Sequence, residues 1–261
     1  MGSPEQRTAD GAETAWRGLR VFAGAVDEPR ARRATDVILL VAATIGLLVL
    51  SVAAVPTPGF ARALATYLAS WPGVLDALWQ IVADMLIVVA IVILVTAAAR
   101  RRWSLVRDLV LAIAAALVVF LLVGRIVVDS WPNVWESLRS AGPPPWYPSA
   151  RIAAPASVVI TASPHLTRPL RRVNRWIVGL AAIAAVVLGA TTTLGAAASL
   201  LVAAGAAAAV HLAFGSSGGR PGLDDVRLAL RELGVAVRSV GVADRQQAGL
   251  FLVRAEAADG S

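Results

Sequence analysis

The sequence predicts an all-α membrane protein: a bundle of six transmembrane helices followed by a short, incomplete α+β tail. Three observations carry the prediction. Of the 261 residues 57% are hydrophobic, and the mean hydropathy is +0.70, too apolar throughout for a soluble domain that needs a polar shell. The apolar residues gather in blocks near the ~20 residues that cross a bilayer core. Arginine-rich and arginine-poor connections alternate between those blocks, as topology determinants do.

Residues 1–35 are polar and mixed in charge, with six arginines up to Arg33. A secretory signal places its apolar core close to the start, and here the first apolar block begins only after Asp36. The segment reads as an uncleaved, partly disordered cytoplasmic leader. The membrane domain is expected over 36–214, with spans at 37–55, 81–98, 109–128, 152–166, 176–189 and 194–214. The fourth span is short and carries Pro155. Between the first two spans, 60–79 sets Leu64, Tyr67, Leu68, Trp71, Leu75 and Leu78 at helical spacing, which predicts an amphipathic helix lying at the interface.

The loop after span one has only Arg62, whereas the loop after span two has Arg100, Arg101 and Arg102. Arg125, Arg139 and Arg151 are spread thinly after span three, and Arg168, Arg171, Arg172 and Arg175 cluster after span four. The Thr191–Thr193 turn has none. The positive-inside rule then puts both termini in the cytoplasm of a bacterial cell. Trp71, Trp79, Trp131, Trp135, Trp146 and Tyr147 fall on the outer side as an aromatic belt. Span six is mostly Ala and Gly. Small side chains let helices approach closely in lipid and would make this helix central; a coding bias toward alanine accounts for the same composition.

Several chemistries are excluded. There is no cysteine, hence no disulfide or thiolate site. All 24 basic residues are arginine, so no P-loop or Schiff-base lysine exists. Their placement beside apolar blocks argues against a nucleic-acid partner despite the net charge of +7. His165 and His211 both fall at the inner ends of spans, with no nearby carboxylate in sequence, a poor metal site. No cofactor is implied. The candidate binding residues are outer-side Arg125, Ser149 and Arg151, which together suit an anionic headgroup or, alternatively, anchor helix ends by snorkelling. Asp84 is the intramembrane polar residue, costly unless paired, water-exposed or interfacial. Arg107 and Asp108, opening span three, read as an interfacial pair.

Tyr147-Pro148-Ser149-Ala150-Arg151 before span four, and Leu188-Gly189-Ala190-Thr191 between spans five and six, carry a resemblance. In order and membrane side they resemble the core of the type-two phosphatidic acid phosphatase superfamily, over roughly 37–214. The resemblance implies a six-helix core with three motifs on one face: K-x6-R-P, P-S-G-H and S-R-x5-H-x3-D. Aligned on them, Arg151 replaces the acid histidine, Thr191 the nucleophilic histidine and Gly195 its orienting aspartate; Ala184 and Ala185 fall at Ser-Arg, and Val118 at the lysine. Arg125 alone matches a catalytic side chain. An arginine does not give up a proton at working pH, so the resemblance implies a fold stripped of its chemistry.

After a linker at 215–222, Asp224-Asp225 opens a helix of about ten residues closed by Gly234. Strands are expected at 235–242 and 248–255, with a hairpin turn at Asp259-Gly260. One helix and two strands bury too little for a core, so 223–261 reads as the start of a cytoplasmic soluble domain or as a tail that packs on another chain; the resemblance that follows implies a kinase-like domain. The layout also resembles the N-terminal part of long actinobacterial membrane proteins that end in a lysylphosphatidylglycerol-synthase or flippase-like domain. The expectation is a non-catalytic module of a larger envelope-lipid protein, binding lipid or scaffolding, its partners membrane lipids, other membrane proteins or the rest of the chain. An active lipid phosphatase and a small transporter are the alternatives. The transporter predicts polar inner faces that spans one, four, five and six lack beyond Ser and Thr.

Overall fold

The computed structural model describes residues 22, 30–54, 59–69, 75–142, 145–217, 223–243 and 252–257. The chain divides into two units, one of 30–164 with 168–216 and one of 1–29, 165–167 and 217–261. The first is helical throughout its bulk.

It begins with α1 (Ala34–Ala53) and α2 (Gly59–Ala69). α3 runs from Asp76 to Ala99. The interfacial segment expected over 60–79 is thus shared between two helices. Leu75 precedes α3 directly and Leu78 and Trp79 form its first turn, while Trp71 lies outside the described residues. Arg100–Arg102 turn the corner, with Arg101 in the left-handed region at φ 53°. α4 (Trp103–Val128) returns and stops at Asp129, also left-handed at φ 55°. The short α5 (Val134–Arg139) follows, its first turn capped by the Asn133 side chain, which accepts from the amides of Trp135 and Glu136. Then come α6 (Ala150–Ala162), α7 (Arg168–Val187) and α8 (Thr193–Phe214), the last capped by Thr192 accepting from the Gly195 amide.

Among the described residues four helices, α1, α3, α4 and α8, are long and apolar enough to cross a membrane. Most of α1, α3 and α4 faces outward with Val, Ile and Leu side chains exposed, a surface that hydrocarbon, not water, would solvate. The other two helices depart from that pattern for different reasons. α6 has only 13 residues, about 20 Å of axis. It is walled in by α3, α4 and α8, and every residue from Ile152 to Val159 is buried. α7 is 20 residues long but carries four arginines in its first half. Those arginines stand inside the helix rather than in a loop before it: Arg168 opens α7, eight positions ahead of the expected start at Trp176.

The packing is made of small side chains. α8 packs on α1, α4, α6 and α7, and 50% of its apolar window is buried against 11% for α1, which makes it the inner of the long helices. Ala153 of α6, Ala116 of α4, and Val202 and Ala206 of α8 form one cluster; Ile152, Ala182, Ala185, Val186, Ala190 and Ala196 form another. Where helices must rely on van der Waals contact, Ala and Gly permit the closest approach.

In the second unit, Phe22 forms a bridge with Leu166. α9 (Leu223–Glu232) ends at Gly234, φ 78°, and an antiparallel pair of strands, β1 (Val237–Val242) and β2 (Val253–Ala257), follows. β1 starts two residues later than the sequence pattern suggests, and 248–251 of the second expected strand lie outside the described residues. The expected turn at Asp259-Gly260 and most of the leader lie outside the described residues.

Candidate functional site

The residues singled out between spans three and six meet in one polar junction. The segment before α6 is stitched to the α7–α8 turn: the Trp146 amide donates to the Ala190 carbonyl at 3.0 Å, and the Thr191 hydroxyl donates to the Trp146 carbonyl at 2.7 Å. Gly195 sits beneath this bridge. A Cβ there would stand 2.8 Å from the Trp146 carbonyl oxygen and collide with the Thr191 hydroxyl, so only glycine lets α8 approach. One turn on, the Ser199 hydroxyl donates to the Gly195 carbonyl at 2.7 Å and accepts the Ser149 amide at 2.8 Å. The Ala150 amide donates to the buried Ser137 hydroxyl at 3.0 Å, tying α5 to the start of α6.

Arg151 is held on the other flank of α6. Its guanidinium donates to the carbonyls of Leu138 and Arg139 at 3.1 and 3.2 Å and forms an ion pair with Asp84 of α3. The Arg151 side chain is 12% exposed and that of Asp84 56%, so the carboxylate meets the arginine from the open side. Of the three candidate headgroup residues, Ser149 and Arg151 share this junction. Arg125 instead pairs with the exposed Asp129, one turn along at the end of α4. Burial pushes the Tyr147 phenol above its ordinary value, partly offset by the Ser51 hydroxyl.

The chemistry of this arrangement is set by what its polar atoms touch. The Thr191 hydroxyl has the carbonyls of Trp146 and Thr192 as partners, and a carbonyl is not a base that activates a nucleophile. Arg151 offers donors and a fixed charge only. Among the described residues no group of three His, Cys, Asp or Glu side chains gathers as a metal set would.

At the opposite end of the bundle the structure pairs residues that sequence spacing did not join. His211 of α8 is buried, with Nε2 3.2 Å from the Thr161 carbonyl and Nδ1 3.8 Å from the Asp36 carboxylate. A carboxylate thus lies beside this histidine, contrary to the expectation of none. Asp36 is 175 positions away in sequence, and only the packing of α1 on α8 brings it there. Arg107 and Asp108 form the expected pair at 3.0 Å, and the Arg107 guanidinium covers the Phe214 ring at 4.2 Å. Burial, and to a lesser degree the neighbouring Arg100 guanidinium, holds Arg102 below the usual arginine value. Trp103, at the start of α4, and Trp176, midway along α7, are both exposed.

The fold and junction define a multi-helix membrane protein. No family model matches the chain, and neither a curated protein nor a solved structure matches it.

Proposed function

We infer that this chain is a catalytically silent, six-crossing membrane module of a bacterial envelope-lipid protein, with both termini cytoplasmic, acting as a lipid-contacting scaffold. In this reading α6 and α7 cross alongside the four long apolar helices. α6 does so sheathed by protein, and α7 with its arginines directed toward the cytoplasmic headgroups. The phosphatase-like order of motifs supplies the architecture, and the residues that would supply the reaction have been exchanged for helix-to-helix contacts.

One observation carries the reading: the Thr191 hydroxyl and the Arg151 guanidinium, at the positions aligned with nucleophile and acid, are engaged by carbonyls and by Asp84. Such a site holds helices together and has no group to deprotonate or to hand over a proton. The test is a phosphate-release assay on the purified, reconstituted chain with phosphatidic acid and with undecaprenyl diphosphate. The expected result is no release above empty vesicles. Release that disappears in Arg125→Ala or Arg151→Ala would establish an active phosphatase instead.

A further inference from the structure

At the end of the bundle away from the polar junction, α7 displays a line of residues whose chemistry changes along the helix axis. Arg168, Arg172 and Arg175 are exposed, and among the described residues no carboxylate lies within ion-pair distance of any of them. Trp176, Leu180 and Ile183 follow, 69%, 43% and 50% exposed. Arg168, Arg172, Trp176, Leu180 and Ile183 follow at steps of four and three, and Arg175 lies three beyond Arg172, so all six share one outward face, while Asn174, Ala181 and Ala185 on the other side are buried against the bundle.

Depth sharpens the point. Arg175 stands twelve positions before Val187, the far end of α7, which is about 18 Å of helix axis. With Val187 at one boundary of a ~30 Å hydrocarbon core, the Arg175 backbone lies well inside the other boundary. Helical side chains lean toward the N-terminus, which here is the arginine-bearing surface, so these guanidiniums extend along the helix toward the headgroups. An intramembrane charge is costly until it meets a counter-charge. A phosphate drawn down to the stripe meets that need with charge-assisted, bidentate hydrogen bonds. Beside it, Trp176, Leu180 and Ile183 offer an acyl chain an apolar track.

We propose that the outward stripe of α7 is a binding site for an anionic phospholipid of the arginine-side leaflet, its phosphate on Arg168, Arg172 and Arg175 and its acyl chain along Trp176, Leu180 and Ile183. This site is separate from the polar junction, and it rests on the proposed reading only in that α7 crosses the membrane. The full chain, in nanodiscs of equimolar phosphatidylglycerol and phosphatidylcholine, is examined by native mass spectrometry for lipids retained on release. Phosphatidylglycerol is expected to be retained in preference. The preference should fall about fivefold for each arginine removed in R172Q/R175Q, and R172K/R175K should keep most of it. Equal retention of the two lipids by the wild-type chain, or an unchanged preference in R172Q/R175Q, would overturn the proposal. If R172Q/R175Q does not fold, the unaltered chain decides at ~50 and ~500 mM salt, where screening lengths differ several-fold. A preference that weakens at high salt supports the site, and one indifferent to salt refutes it.

Discussion

Substituting alanine for glycine at three places separates the polar junction from ordinary helix packing. In Gly195→Ala the new methyl would meet the Trp146 carbonyl oxygen at 2.8 Å and the Thr191 hydroxyl closer still. The first is backbone and the second is fixed by its own hydrogen bond to the same carbonyl, so neither yields by a rotamer change. Overpacking of this kind costs about 1–3 kcal/mol, and the gain in helix propensity, at most about 1 kcal/mol, offsets only part of it. The expected net loss is about 1–2 kcal/mol. Gly46→Ala would meet the Leu201 Cδ1 methyl at 2.9 Å, the far end of a flexible side chain, and should cost less than Gly195→Ala. Gly179→Ala has nothing within 4 Å and should be neutral or slightly stabilising. Reversible unfolding in mixed micelles, followed by the eight tryptophans, ranks the three. Adding Thr191→Ala to Gly195→Ala should cost less than the sum of the two single changes, because the hydroxyl that collides is gone. A Gly195→Ala chain as stable as Gly179→Ala would refute the claim that this junction is closed by direct contact.

Three further outcomes follow from the same structure. Asp84→Asn removes the counter-charge of a largely buried Arg151; with the carboxylate half-exposed the loss should be about 1–2 kcal/mol, below the 3–5 kcal/mol of a fully buried pair, and adding Arg151→Gln should restore part of it in the same unfolding assay. His211→Ala leaves the Thr161 carbonyl buried without its imidazole partner and should cost about 1–3 kcal/mol, with no effect on the retention of anionic lipid at α7. Residues 216–261 expressed alone should give a collapsed amide NMR spectrum, since one ten-residue helix on a two-stranded sheet is marginal at best in water; a dispersed spectrum would contradict this.

The long apolar spans were readable because their signal is local. Block length and hydropathy put both ends of α1 and α8 within three residues, whereas α3 and α4 begin five and six residues before the expected starts. The start of α7 was misplaced for a physical reason: hydropathy penalises Arg168, Arg171, Arg172 and Arg175, yet arginine is a good helix former and the segment continues the helix that packs on α3. α2 and the first turn of α3 share one amphipathic period, so periodicity alone did not divide them. The pairs that organise each end, Arg151 with Asp84 and His211 with Asp36, join helices far apart in sequence. For Asp84 the sequence indicated a need for a partner, water or the interface, and packing alone says which was met. Arg125 illustrates the reverse: it aligned with a motif, and its nearest carboxylate, Asp129, lay one turn away in its own helix.

Whether six helices cross, or only the four long apolar ones, is decided most directly at the turn between α6 and α7. The chain has no cysteine, so single cysteines at Arg101, Ser130 and Thr167 can be labelled in intact cells with a membrane-impermeant thiol reagent. With six crossings Thr167→Cys should behave as Arg101→Cys, reacting only after permeabilisation, while Ser130→Cys reacts from outside. Labelling of Thr167→Cys from outside alongside Ser130→Cys would mean that α6 and α7 do not cross, and the six-span account would fall.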